Sequence, residues 1–249
     1  MELLNLSGQD FAILAVIVTL AGVVRGFSGF ALSALIMAAG VMILPPLELI
    51  PICLLLEFVA SILMAGGGWR DADRGVVAGL VIGSTIGVPF GVMTMMALPE
   101  ETSKLVVLAL VIILAATQLA KVRFAFLATK PGLYVSGFCA GIATGLASVG
   151  GMVVALYVLS QDAPAAKMRA ALVLFLFISG FTTAVTYLIT GVLTSEALTR
   201  AAAFAIFAAS GVFIGQKFFT ERLAPYYRPF CLTLLMSLAA LGLIRTSIA

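Results

Sequence analysis

Residues 21–35 read AGVVRGFSGFALSAL, an apolar run that breaks at Gly26 and Gly29, carries Arg25 at the break and then resumes. A related pattern occurs at residues 140–155, AGIATGLASVGGMVVA. Ala21 and Gly22 match Ala140 and Gly141, and Gly26 matches Gly145, at a constant offset of 119. Farther along, Gly79, Gly87, Val88 and Gly91 match Ala203, Gly211, Val212 and Gly215 at an offset of 124. The two registers predict one unit used twice, with insertions in the turns absorbing the change of offset.

At 63% hydrophobic and 10% charged residues the chain falls outside the range of soluble domains and reads as a polytopic membrane protein. Its net charge of +3 then reports loop orientation rather than affinity for nucleic acid. The sequence holds no histidine, and Cys53, Cys139 and Cys231 stand at no metal-ligand spacing. They read as small core residues, and no metal or other cofactor is expected. The first 20 residues are apolar but carry Glu2 and Asp10 and lead to no small-residue cleavage site, so they are expected to stay rather than to be removed as a signal.

Ten apolar segments are visible, at 11–25, 30–44, 49–66, 75–97, 102–120, 133–147, 151–160, 170–190, 197–216 and 229–246. The first, second, sixth and seventh fall short of the roughly 20 residues that span a bilayer. They form two pairs joined at glycine- and serine-rich turns, each expected to be a helical hairpin that dips partway into the membrane or crosses it with broken helices. The predicted fold is therefore an all-α polytopic membrane protein of two repeats of five segments, each opening with such a hairpin. Residues 1–120 form the first repeat, 121–131 a basic cytoplasmic linker that ends at a helix-stopping Lys130-Pro131, and 132–249 the second repeat. Five is odd, so the second repeat enters from the opposite side and the repeat is inverted.

Of the 14 lysines and arginines, ten lie in 67–74, 120–131, 161–169 and 217–228. The other side holds Lys104, Arg200 and Arg245. The positive-inside rule makes the basic loops cytoplasmic and turns both termini outward. Trp69, Tyr226 and Tyr227 fall where interfacial aromatics are expected. In 75–97, Gly75, Gly79, Gly83, Gly87 and Gly91 recur every four residues and form one stripe on which another helix can pack closely.

In an inverted repeat the two hairpin tips approach the bilayer midplane, where such architectures bind substrate. The candidate binding residues are Arg25, Gly26, Ser28 and Gly29 in the first tip and Thr144, Gly145, Ser148, Gly150 and Gly151 in the second. At each tip a new helix starts, with unpaired N–H groups and the positive end of its dipole turned to the break, which suits an anion. Arg25 adds a permanent charge and a planar fork that fits carboxylate, sulfonate, sulfite or phosphate oxygens. Glu57 is the only carboxylate well inside a full-length segment, and so is either the permanent partner of Arg25 or a proton-carrying group. Ser179, Thr182, Thr183 and Thr186 share one helix face, which lines a pathway or packs on another helix.

The stretches GFSGFALSALIM, WRDADRGVVAGLVIGSTIGVPFG and GLASVGGMVVALYVL resemble the TauE/SafE family of sulfite-exporter-type membrane proteins over nearly the whole chain. The resemblance implies a bacterial-type inner-membrane permease for small sulfur-containing or other organic anions, with the same two-repeat organisation. The chain departs from the usual pattern in its thinned first turn, GFSGFA, and in the absence of proline from 34–37 and 154–157.

The function that follows is a secondary transporter, working by alternating access, that exports a small anion such as sulfite, an organosulfonate or a carboxylate. No P-loop, HExxH or GxSxG is present, so neither an ATP-driven pump nor an enzyme is expected. The alternative is a membrane-embedded scaffold or assembly partner without transport activity. Expected partners are the small anion and the lipid bilayer, with the glycine stripe also able to receive a second copy of the chain, and no nucleic acid.

Overall fold

The computed structural model describes residues 4–65, 72–122, 125–161, 165–217 and 224–248. Among them are ten α-helices and no strand: α1 (Gly8–Ser28), α2 (Leu32–Gly40), α3 (Pro46–Met64), α4 (Arg74–Ala97), α5 (Glu100–Leu119), α6 (Lys130–Ala147), α7 (Gly150–Leu159), α8 (Ala165–Ile189), α9 (Ser195–Lys217) and α10 (Ala224–Ile248). A 3-10 turn, Ala125–Ala128, precedes α6. Seven helices, α1, α3, α4, α5, α8, α9 and α10, contain segments long and apolar enough to cross a membrane. The chain is thus an all-helical, multi-pass membrane protein.

The first apolar segment is not short. Ser7 caps α1 by accepting from the Asp10 N–H at 3.0 Å, so the helix begins before the apolar run, and it continues through Arg25 to Ser28 for 21 residues in all. That is about 31 Å of helix at ~1.5 Å per residue, enough to match the hydrocarbon core. The sixth segment also grows, because Thr129 accepts from the Gly132 N–H at 3.1 Å and starts α6 at Lys130, giving it 18 residues. Counting apolar residues truncated both helices at their polar first turns. The second and seventh segments are as short as expected, 9 residues in α2 and 10 in α7, about half the thickness of the hydrocarbon core.

Two pairs of helices dock backbone to backbone. In α1 against α9, a Cβ on Gly22 would lie 2.6 Å from the Ala208 carbonyl oxygen, and one on Gly215 would lie 3.1 Å from Gly26 Cα. In α4 against α6, a Cβ on Gly141 would lie 2.9 Å from Gly87 Cα and one on Gly91 2.9 Å from Gly145 Cα. The stripe on α4 is therefore a packing surface, as its spacing predicts, and its partner is a second glycine row on α6. Beside the stripe on α4, Ile82, Ile86, Phe90 and Met93 are exposed, a face suited to hydrocarbon, and Phe90 meets Phe138 of α6 edge-on. Helix α3 packs on α9 and α8, α8 also packs on α4, and α5 pairs with α10. Between α3 and α8, Phe58 covers Gly180 and meets Phe177 and Phe181 edge-on.

Cys53 and Cys231 are buried, but Cys139 is exposed, on the face of α6 turned away from its glycine row. It is a surface residue rather than a core one. Trp69, Arg70, Arg123 and Arg222 lie outside the described residues, as do the side chains of Tyr226, Tyr227 and Arg228.

Candidate functional site

Helix α1 ends at Gly29, whose φ of 84° is left-handed and whose N–H donates to the Arg25 carbonyl at 2.8 Å. Ala31, also left-handed at φ 75°, is the N-cap of α2 and offers no side-chain cap. The first turn of α2 is capped from another helix instead. Glu57, in the interior of α3, accepts through Oε1 from the Ser33 hydroxyl at 3.0 Å and from the Ser33 N–H at 3.4 Å. Its other oxygen, Oε2, accepts from Arg25 Nε at 2.8 Å.

Arg25 is 0% exposed and Glu57 7%. The remaining Arg25 nitrogens are also used: Nη1 donates to the Gly29 carbonyl and Nη2 to the Ser61 hydroxyl at 2.9 Å. A buried ion pair is tolerated when its remaining lone pairs and protons are satisfied in this way. Glu57 stands about 17 Å from Pro46 along α3, inside its apolar segment, and Arg25 reaches it from the last turn of α1. A second guanidinium approaches from α8, where Arg169 Nη2 donates to the Gly26 carbonyl at 2.6 Å and the side chain lies against Gly29.

The other residues expected in the first tip have different tasks. The Ser28 hydroxyl lies 2.8 Å from both the Val24 and Phe30 carbonyls, to either of which its one proton can be donated, and it accepts from the Phe30 N–H at 3.3 Å, so it stitches the break together. In front of Gly26 lies the backbone of α9 at Val212 and Gln216, which leaves this glycine for helix packing.

In the second tip Ser148 occupies the place that Gly29 has in the first, at the 119 offset, and is likewise left-handed at φ 56°. Its N–H donates to the Thr144 carbonyl at 2.8 Å, which also accepts from the Tyr187 hydroxyl at 3.2 Å. Thr144 Oγ1 donates to Ala140 O at 2.8 Å, and Gly150 packs against both groups. Gly145 faces the α4 backbone at Val88 and Gly91, so it too is a packing glycine. The space in front of Gly151 is bounded by the Leu176 side chain at 3.3 Å.

On α8, Thr182 and Thr183 donate to the Ser179 carbonyl at 2.9 and 2.8 Å, and Thr186 donates to the Thr182 carbonyl at 3.1 Å. Their protons are spent on the helix's own backbone, the usual arrangement for threonine in an apolar helix.

A second polar cluster, with no signal in the local sequence, sits at the starts of α3 and α9. Arg200, 4% exposed, donates to Glu48, to Glu196 at 2.6 Å and to the Leu4 carbonyl at 2.8 Å. Asn5 adds a bond to Glu196 at 3.1 Å. Glu48, Thr190, Thr194, Glu196 and Arg200 line a cavity of about 160 Å³.

No curated protein and no solved structure matches the chain. The family model described as sulfite exporter TauE/SafE matches residues 14–242, nearly the whole length. With seven long apolar helices among the described residues and a match over that extent, the chain belongs to the sulfite exporter TauE/SafE family.

Proposed function

We propose that this protein is a secondary transporter of a small anion, such as sulfite, an organosulfonate or a carboxylate, with the anion bound at the break between α1 and α2. The observation that carries this reading is Arg25, wholly buried in the last turn of α1 and paired with Glu57 in the interior of α3, beside the break at which α2 begins. An intramembrane arginine costs roughly 2.5–3.5 kcal/mol even on the mildest scale, and a protein with no need of its charge would replace it. The family match supports a transporter of sulfite-type anions and not an enzyme.

Alternating access between two inverted repeats, 1–120 and 132–249 about the 121–131 linker, is the mechanism that fits. Its support is the exchange of glycine pairs. Gly22 and Gly26 map to Gly141 and Gly145 at one offset, and Gly87 and Gly91 map to Gly211 and Gly215 at the other. The docking of α1 on α9 thus uses the same registers as the docking of α6 on α4. With the basic loops cytoplasmic and both termini outside the inner membrane, export is the favoured direction. Each unaccompanied negative charge leaving a cell gains about 2.3 kcal/mol per 100 mV.

The test is flux. Purified protein in liposomes is expected to move labelled sulfite or a small organosulfonate, and Arg25→Lys to retain only a fraction of that rate, because a point ammonium lacks the fork. A folded wild-type protein that moves none of a panel of small anions would favour a scaffold role instead.

A further inference from the structure

The carboxylate of Glu57 is held as a small free oxyanion would be held. One oxygen takes Arg25 Nε at 2.8 Å, and the other takes the hydroxyl and N–H of Ser33 in the first turn of α2. The parts that recognise an anion come from α1 and α2, and the occupant reaches in from α3. Among the described residues this arrangement occurs once. At the 119 offset, Arg25 becomes Thr144 and Glu57 becomes Leu176, and Leu176 lies over Gly151 in the first turn of α7 as Glu57 lies over Ser33 in that of α2.

The geometry points to Glu57 as a tethered stand-in for the transported anion: a small oxyanion takes its place on Arg25 and Ser33, and Glu57, displaced, carries a proton. The inference rests on the reading of Arg25 as the anion site and supplies its occupancy rule. Arg25 then keeps one negative partner whether the site is loaded or empty, which removes the cost of an uncompensated buried charge from every stage of the cycle. A carboxylate displaced from Arg25 and Ser33 has lost its cation and its hydrogen bonds, and the proton it takes up spares α3 an unpaired buried charge. The groups around it are Arg25 and, against Gly29, Arg169 from α8; Ser33 from α2; Cys53 and Ser61 on α3 itself; and Tyr187 of α8 beside Cys53. Anion binding is therefore accompanied by uptake of one proton and strengthens as pH falls. A monovalent anion crosses together with that proton as a neutral pair, driven by the pH gradient, and only an anion of charge −2 keeps the potential-driven bias toward export.

The atoms removed in Glu57→Ala are those of acetate, which makes acetate the probe. In detergent, Glu57→Ala is expected to unfold at a lower temperature than wild type, with sodium acetate raising its Tm saturably beyond the effect of equal sodium chloride. Wild type should show little such rise, and Arg25→Ala/Glu57→Ala none. A folded Glu57→Ala with no acetate-specific rise overturns the inference. Should Glu57→Ala not accumulate, Glu57→Gln, which keeps the volume, decides. It should bind methanesulfonate, which stays ionised at every working pH, with an affinity indifferent to pH, whereas wild-type affinity should weaken as pH rises, by up to about tenfold per pH unit for one linked proton. A Glu57→Gln that is folded but binds no methanesulfonate, or that shares the wild-type pH dependence, also overturns it. Acetate rescue reads the site and not transport. Wild-type liposomes that move no anion count against the transporter, and failed rescue in a protein that does transport counts against the stand-in alone.

Discussion

Gly211 of α9 and Gly22 of α1 leave no room for a methyl group between them: a Cβ on Gly211 would lie 3.0 Å from Gly22 Cα, and one on Gly22 3.1 Å from Gly211 Cα. The pair formed by Gly141 and Gly87 repeats this contact between α6 and α4. Both neighbours are backbone, so neither can step aside as a flexible side chain would. Gly22→Ala and Gly87→Ala are therefore each expected to cost at least the ~1–3 kcal/mol typical of overpacking, seen as a lower Tm and a smaller monodisperse fraction after purification. The control lies on the same stripe. A Cβ on Gly75 would meet only the Asp73 carboxylate, at 3.3 Å, so Gly75→Ala should be neutral or slightly stabilising. Equal damage at Gly75 and Gly87 would show that the stripe is not read position by position.

The buried pair Arg25 and Glu57 gives a prediction in which stability and transport separate. Removing one partner leaves a buried charge uncompensated, so Arg25→Ala and Glu57→Ala should each lose about 3–5 kcal/mol. Replacing both with apolar residues of similar volume, Arg25→Met/Glu57→Leu, removes the charge and its desolvation cost together. The double variant should recover most of the lost stability while moving no anion in liposomes. Chemical denaturation and flux on the same preparations check both halves, and a stable, transporting Arg25→Met/Glu57→Leu would relegate the pair to a structural strut.

The glycine registers and Arg25 were legible because each is rare in its setting. Five glycines at four-residue spacing define a helix face whatever surrounds it, and one arginine and one carboxylate inside apolar segments have few other partners. The sequence left open whether Glu57 pairs with Arg25, and the two are in hydrogen-bond contact. Ser33 and Ser61 were not legible, since serine is common in apolar helices and only the fold selects which hydroxyl faces the pair. Ser28, Gly26 and Gly145 were assigned to ligand because they flank the breaks, yet their local work is stitching and packing. The Arg200 cluster joins residues 152 positions apart, a distance at which sequence pattern carries no signal.

The proposed orientation rests on the basic loops and is open to a direct test. A periplasmically active phosphatase fused after Ala249 should be active, and one inserted in the 121–131 linker inactive. The opposite pattern would reverse the proposed direction of export as well, because the same loops define the cytoplasmic side.

The last prediction concerns Arg200. Its guanidinium ties the first turn of α9 to Glu48 at the start of α3 and to the Leu4 carbonyl just before α1, so three separate stretches of chain converge on one side chain. Glu48 and Glu196 lie in the first turns of their helices, where a carboxylate also favours the positive end of the helix dipole, so they retain a stabilising environment if Arg200 is removed. The Leu4 carbonyl has no such compensation. Arg200→Ala should therefore cost roughly the 1.5–3 kcal/mol of hydrogen bonds to a charged group, concentrated at the chain's beginning rather than spread over the fold. Hydrogen exchange is the measurement that sees this: amides in the first turn of α1 should exchange faster in Arg200→Ala, with the glycine-packed middle of α1 unchanged. Arg200→Lys should fall between the two, since one ammonium can reach Glu48 or Glu196 but lacks the planar spread that serves both carboxylates and the Leu4 carbonyl together. Exchange that rises equally along the whole of α1 would mean that Arg200 holds the α1 and α9 contact itself, and that the glycine interface depends on the cluster above it.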